Sequence, residues 1–455
     1  MTASTPAPGV SSPDINTERR VLAGTLVGTA IEWYDYFIYA SVAALVFGKI
    51  YFEPLGTANA GLAQLLALAS IGISFLFRPL GAVIAGHLGD RVGRKRMLVL
   101  TLLLMGGATA LIGLLPTYSQ IGVWAPILLI TLRIVQGFSA GGEWGGAALM
   151  AVEHAPRDRR GLFGAYPQLG VPIGMLAASL MLTALTATLS PAQFTSWGWR
   201  IPFLISVALI GVGYLIRRTV DESPVFEELR QRRSQSSAPL KDLFTRHTKP
   251  VVQCALIFIG SSAAGYLLIA FLTSYATRTV GLDRTQVLAM TSIAAAVWIA
   301  TTLLGGALSD RIGRRRAFQI GYLALIVWIV PMFLLIDTAN IWLYGLAVVL
   351  LTVGIGISYG PMSAMYAEMF PAEVRYSGVS IGYALGAVLG GAFAALIAQA
   401  LIDATGWSPS VGLYIIALSL VSIIAVTTAT EVGGTDLRTR TPEEGSDLDE
   451  SVPVN

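Results

Sequence analysis

Residues 86–96 read GHLGDRVGRKR, and 220 residues further on the chain repeats the pattern as GALSDRIGRRR at 306–316. A second echo agrees: EHAPRDRRG begins at Glu153 and EMFPAEVRYSG at Glu368, each placing Pro three residues after Glu, followed by Arg and Gly. A chain that echoes itself at one spacing is built as two halves. What surrounds the echoes decides the kind of half. Apolar runs of about 18 residues or more recur near 22–47, 62–86, 97–115, 122–150, 162–188, 199–216, 251–277, 287–309, 317–336, 341–367, 377–402 and 410–430. Each is long enough to cross about 30 Å of hydrocarbon as a helix. Of the 455 residues 54% are hydrophobic and 13% charged, far from the roughly one-quarter charged share of soluble domains. Backbone in lipid must satisfy its own hydrogen bonds, so the fold class expected is an all-α integral membrane protein with about 12 transmembrane helices. The echoes follow the second and fourth span of each half, which predicts two parallel six-helix halves around an axis along the membrane normal.

The net charge is only +3, but its distribution is informative. Of 30 lysines and arginines, 24 fall in the two tails, the 217–250 connection and the loops on that same side, against Lys49, Arg278 and Arg284 on the other. The positive-inside rule therefore predicts both termini in the cytoplasm of a plasma-membrane protein. The expected organisation is a cytoplasmic tail at 1–21, a six-helix bundle at 22–216, a linker at 217–250, a second bundle at 251–430 and a disordered acidic tail at 431–455. Within the linker, ESPVFEELRQRR offers Ser223 as a helix cap and Pro224 at the first helical position, predicting a short surface helix. No cleavable signal is expected, because the N-terminal tail is polar and the first apolar run is too long.

The first span carries an anomaly. GTAIEWYDYFIYA, residues 28–40, places Glu32 and Asp35 ten to fifteen residues into an apolar run, about 15–20 Å deep. An unpaired carboxylate at such depth costs at least about 2.5–3.5 kcal/mol, so it must face the bundle interior, take a proton or find a cation. The i, i+3 spacing predicts one shared face, together with Tyr36 and Tyr39. The candidate cations are Arg133, which RIVQGFSAGGE strings with Gln136 and Glu143 along the fourth span, and Arg78 in SFLFRPLG of the second. A carboxylate beside a buried arginine can alternate between paired-ionised and protonated-neutral states, and the freed arginine can hold a substrate carboxylate. The alternative is a structural ion cluster that fixes helix packing. Glu143, among Gly141, Gly142, Gly145 and Gly146, fits a buried helix contact as well as a transport role. Gln168, Tyr266, Trp298 and Tyr359 are further candidates to line a substrate cavity.

The repeated Gly-x-x-x-Asp-Arg-x-Gly-Arg pattern resembles the signature loop of the major facilitator superfamily. GTAIEWYDYFIYA, FLFRPLGAVIAGHLGDRVGRKR, RIVQGFSAGGEWGGA, WGWRIPF and ESPVFEE together resemble its metabolite:proton symporter branch. The resemblance implies a cytoplasmic gate in which the loop and the Glu ending the fourth span latch the bundle shut. In this sequence it assigns that role to Gly86, Asp90, Arg91, Gly93, Arg94, Glu153 and Arg160, and to Asp310, Gly313, Arg314, Glu368 and Arg375 in the second half. It implies proton coupling through Asp35 or Glu32 with Arg133, and substrates such as dicarboxylates and tricarboxylates, shikimate, aromatic acids, or the osmolytes proline and betaine.

The function expected is secondary active transport: proton symport of a small organic acid into the cell by alternating access, with a shikimate-like or aromatic acid first in line. A zwitterionic osmolyte is the second reading, although this tail has no heptads for a coiled coil. A membrane sensor on the same fold is the reading of another class. No Walker-type phosphate loop is present, the single Cys254 rules out an intramolecular disulfide, and His87, His154 and His247 all fall at or beyond the ends of spans. The expectation is thus no enzyme, no cofactor beyond the proton, no metal and no nucleic acid. The partners expected are a small-molecule substrate, H+ and the lipid bilayer, with the protein working as a monomer.

Overall fold

The computed structural model describes residues 15–55, 60–231, 239–430 and 437. Among these, every regular element is a helix. The first half holds α1 (Ile15–Val42), α2 (Ala60–Val92), α3 (Arg94–Leu114), α4 (Trp124–Glu153), α5 (Arg157–Thr188) and α6 (Arg200–Thr219). The second holds α7 (Thr248–Thr279), α8 (Arg284–Ile312), α9 (Arg314–Ile336), α10 (Ile341–Met369), α11 (Arg375–Thr405) and α12 (Pro409–Thr428). Eleven are long and apolar enough to cross a membrane by themselves, and the first span joins them when Glu18–Val42 is counted with Leu45–Phe52, which leaves it at 65°. The bend falls where the chain widens into the turns of Ala43–Phe52. Most helices run past their apolar runs at one end of the bundle, because the charged residues there continue the helix and find partners.

The halves meet along two equivalent seams, α2 against α11 and α8 against α5. Within each half, glycines let the second and fourth helices touch backbone to backbone. A Cβ on Gly141 would strike the Arg78 and Ala82 backbone of α2, and one on Gly360 the backbone of α8 at Thr302, Gly305 and Gly306. Gly93 and Gly313, with φ of 115° and 95°, make the matching sharp reversals after α2 and α8. Large apolar side chains such as Leu180, Val327 and Trp342 point outward, as a lipid-facing surface requires, while the charged side chains of the spans turn inward.

The linker helix forms at Pro224–Gln231, capped by Ser223, whose Oγ accepts from Phe226 N at 3.3 Å. A second amphipathic helix, Pro239–Arg246, follows, which the sequence reading does not anticipate. Residues 232–238 and the tail expected to be disordered lie outside the described residues, Leu437 excepted. The end of the bundle that carries these helices is the linker face.

Candidate functional site

α1 presents its two carboxylates to different neighbours. Glu32 turns to α2, where its Oε1 lies 3.8 Å from Arg78 Nη2, both side chains being buried. The Arg78 guanidinium sits among the rings of Phe75, Trp33 and Tyr36, at 4.5, 5.6 and 5.9 Å. Glu32 Oε2 and Arg78 Nε are buried and find no hydrogen-bond partner among the described residues. An ion pair this long, with an orphaned atom on each side, can be completed by another carboxylate.

Asp35 turns instead to α3 and α6 and is fully buried. Its carboxylate accepts from Thr109 Oγ1 at 2.8 Å and Ser206 Oγ at 2.6 Å. Arg133 does not pair with it directly. The connection is relayed: Arg133 Nη1 donates to Gln136 Oε1 at 2.7 Å, and Gln136 Nε2 donates to Thr109 Oγ1 at 2.7 Å. Arg133 also lies 3.7 Å over the Tyr39 ring, whose hydroxyl is 2.6 Å from Ser70 Oγ. The shared face expected for Glu32 and Asp35 is therefore divided. Residues three apart differ by about 60° around a helix, enough to send one to α2 and the other between α3 and α6.

A pocket lies between the halves, lined from the first by Trp33 and Val171 and from the second by Phe258, Ser262, Tyr266, Trp298, Tyr359 and Tyr383 among others. It borders the charged site, since Tyr266 packs 6.3 Å from Trp33 and 5.3 Å from Phe75. Tyr359 and Tyr383 face each other hydroxyl to hydroxyl at 3.4 Å. Ser262 Oγ and Trp298 Nε1 are buried without a partner among the described residues. Gln168 stands behind this wall, accepting from Trp144 Nε1 at 2.8 Å, while Trp144 stacks on Tyr383 at 3.7 Å. Thr109, Ser206, Trp144 and Ser262 are absent from the sequence reading because short polar and aromatic side chains in spans carry no distinguishing local signal.

At the linker face two related polar networks, the candidates for the expected latches, join the halves. Asp90, ending α2, accepts from Tyr376 N (3.0 Å), Ser377 N (3.0 Å) and Ser377 Oγ (2.7 Å) at the start of α11. Asp310, ending α8, accepts from Gly161 N (2.7 Å) and Leu162 N (2.9 Å) in α5. Each carboxylate thus caps a helix N-terminus of the opposite half, where exposed N–H groups and the helix dipole favour an anion. Arg94 bridges Asp90 (3.7 Å) and Glu153 (3.5 Å), and Arg375 reaches across to Glu153 at 3.1 Å. In the second half Arg314 holds Asp310 (2.6 Å) and Glu368 (3.2 Å). Arg160 is buried at the position in α5 that Arg375 takes in α11, whereas Arg91 is exposed. Gly86 lets α2 approach the backbone of Ser377.

The linker joins the first of these networks. Glu222 accepts from the N–H groups of Arg94 (3.0 Å) and Lys95 (3.2 Å), Ser223 Oγ donates to Glu153, and Phe226 lies 5.1 Å from the Arg94 guanidinium. The Leu437 carbonyl accepts from Arg375 at 3.1 Å. His154, just beyond α4, is held below the ordinary histidine range by burial and stays neutral.

The profile of the Major Facilitator Superfamily matches residues 25–388. The inner membrane metabolite transport protein YhjE of Escherichia coli is 40% identical over 417 residues, covering 90% of this chain and 94% of its own length. The shikimate transporter of Escherichia coli is 38% identical over 420 residues, covering 91% and 95%. In fold the chain is similar to the proton:xylose symporter XylE of E. coli bound to 6-bromo-6-deoxy-D-glucose, with a TM-score of 0.77 at 15% identity over 93% of this chain and 98% of that one. The chain belongs to the major facilitator superfamily, and it is a multi-pass membrane transporter rather than an enzyme.

Proposed function

We propose that the protein imports a small organic acid together with a proton, with a ring-bearing, hydroxylated or aromatic monocarboxylate as the first candidate. The observation that carries this reading is the division of labour in α1. Asp35 is buried and pairs directly with no cation among the described residues, so taking up a proton there breaks no ion pair. Glu32 shares Arg78 loosely at the edge of the cavity, where a substrate carboxylate can displace it. The aromatic rings offer flat apolar faces to a ring, and the orphaned donors Ser262 Oγ and Trp298 Nε1 suit substrate hydroxyls. Arg133 acts on Asp35 through Gln136 and Thr109, so a change of charge at one end repolarises the other.

The cycle follows from these parts. With the linker face latched, substrate enters the cavity and a proton reaches Asp35. With Asp35 neutralised, the substrate carboxylate and Glu32 together balance Arg78 and Arg133, and only then do the halves rock against each other. Release of the Asp90 and Asp310 caps opens the linker face, which the distribution of lysine and arginine puts in the cytoplasm. The similarity to the shikimate transporter supports the choice of substrate class, and the likeness in fold to a proton symporter agrees with the mechanism.

The test is uptake by proteoliposomes under an inward proton gradient, comparing labelled shikimate, a dicarboxylate, benzoate and betaine. Uphill uptake of a ring acid that collapses with an uncoupler is the expected result. Uptake of betaine alone would favour the osmolyte reading and remove the role given to Arg78. Binding without uptake under any gradient would favour a sensor.

A further inference from the structure

Two buried charges have no part in the cycle above. Glu143 of α4 and Arg217 at the end of α6 form a two-point ion pair, and Thr101 Oγ1 donates to Glu143 Oε2 at 2.6 Å. Arg217 belongs to the basic run that the sequence places in the linker, yet it turns inward and is 3% exposed. Its guanidinium fills the space that a Cβ on Gly28 would take.

The height of this pair is fixed twice over. On α3, Thr109 holds Asp35 and Thr101 holds Glu143, eight residues or about 12 Å apart along the axis. On α1, Asp35, Glu32 and Gly28 descend toward the linker face, and Gly28, against which Arg217 packs, lies about 10 Å below Asp35. Glu32 stands between, about 5 Å from each level along the axis. The three carboxylates therefore form a descending series inside one half. Ser139, donating to Thr101 O at 2.5 Å, and the Gln136–Thr109 bond keep the interval polar on the α3–α4 side. Below the pair, Arg217 lines a small, mostly apolar pocket bounded by Val21, Thr25, Val220 and Lys95 at the linker face, with room for about one water molecule.

We propose that Glu143 is the proton-release station of this half. It receives the proton taken up at Asp35, by way of Glu32, and delivers it to water in the cavity beside Arg217. At each hop an O–H bond on one carboxyl breaks as one forms on the next carboxylate, with a water molecule carrying the proton across the gap. The proton finally passes to water at the linker face. Arg78 lies beside Glu32 and Arg217 beside Glu143, so each of these carboxylates has a cation at hand. The groups facing Glu143 are Arg217 from α6, Thr101 from α3, Glu32 from α1 above, and Tyr376 from α11, whose hydroxyl donates to the neighbouring Gly142 carbonyl at 2.9 Å. Chains of acids with a paired cation are a recurrent route for protons through membrane bundles.

This inference rests on the coupling proposed for Asp35, and the test separates the two. Proteoliposomes carrying the unaltered protein, Glu143→Gln, or the charge-neutral pair Glu143→Gln with Arg217→Gln are assayed with labelled shikimate in two modes. Uphill uptake needs proton release, whereas exchange with internal shikimate does not. The expected result for either variant is exchange within about twofold of the unaltered protein and uphill accumulation lower by at least about tenfold. Uphill accumulation at the unaltered level in either variant would overturn the role of Glu143. A parallel fall in both modes by folded protein would overturn it too, by assigning the pair to packing. Failure of the unaltered protein to accumulate shikimate, benzoate or the dicarboxylate uphill would overturn the coupling reading itself.

Discussion

Replacing Asp90 by alanine removes three hydrogen bonds that cross between the halves, from Tyr376 N, Ser377 N and Ser377 Oγ, together with the Arg94 contact. A lost helix cap costs about 0.5–2 kcal/mol and a hydrogen bond to a charged group about 1.5–3 kcal/mol. The freed N–H groups regain water when the face opens, and Arg94 keeps Glu153, so the net shift toward the open state is about 2–4 kcal/mol. That corresponds to a rise of about 30- to 1,000-fold in the open-to-closed ratio. Ser380 reports it well, because it is buried under Gly145 across the seam and is reached only when α4 and α11 part. With Cys254→Ser as background, Ser380→Cys is labelled by a membrane-impermeant maleimide from the linker side, and the rate is compared with and without Asp90→Ala. Acceleration within the stated range is expected. Asp310→Ala should act similarly, and because the latches share no side chain, the two effects should multiply. Labelling within about twofold of the parent would refute the argument that these caps hold the face shut.

Asp35→Asn keeps the hydrogen-bonding shape beside Thr109 and Ser206 but removes the proton site; exchange of internal for external acid should persist while uphill uptake is lost. Arg78→Ala leaves Glu32 buried and unpaired and takes away the substrate anchor, so KM should rise by at least about 30-fold, consistent with 2 kcal/mol or more for a buried charge partner, as read from initial uptake rates. Ser262→Ala should raise KM by about 2- to 10-fold for shikimate, the worth of one neutral hydrogen bond, and leave benzoate unchanged; equal effects on both would remove Ser262 from substrate recognition.

The architecture was legible because its signals are redundant. Twelve apolar runs and an echoed loop at one spacing each point to the same bundle, and the structure departs from them mainly at helix ends. There hydropathy falls at charged residues such as Asp90 and Arg94 while the helix continues. The site was legible in its charges and not in its pairings. Glu32, Asp35, Arg78 and Arg133 stand out in apolar sequence, but whether Asp35 meets Arg133 directly or through Gln136 and Thr109 depends on the rotation of α1 against α3, which periodicity leaves open by a fraction of a turn. Arg217 shows the opposite case: it sits at the end of an apolar run beside Arg218, and only the packing of α6 on Gly28 separates the buried arginine from the exposed one. Gly93 and Gly313 stand in the repeated loop pattern itself, whereas the part that Glu222 and Ser223 play in one latch required contacts more than a hundred residues apart along the chain for Glu222 and seventy for Ser223.

The central claim is that substrate and proton cross together by way of Asp35. Its most direct test is the pH inside lightly buffered proteoliposomes, with no gradient imposed, when shikimate is added outside. Acidification of the interior beyond that of protein-free vesicles, present with the unaltered protein and absent with Asp35→Asn, is the result predicted. Entry of labelled shikimate with no accompanying movement of protons would contradict it.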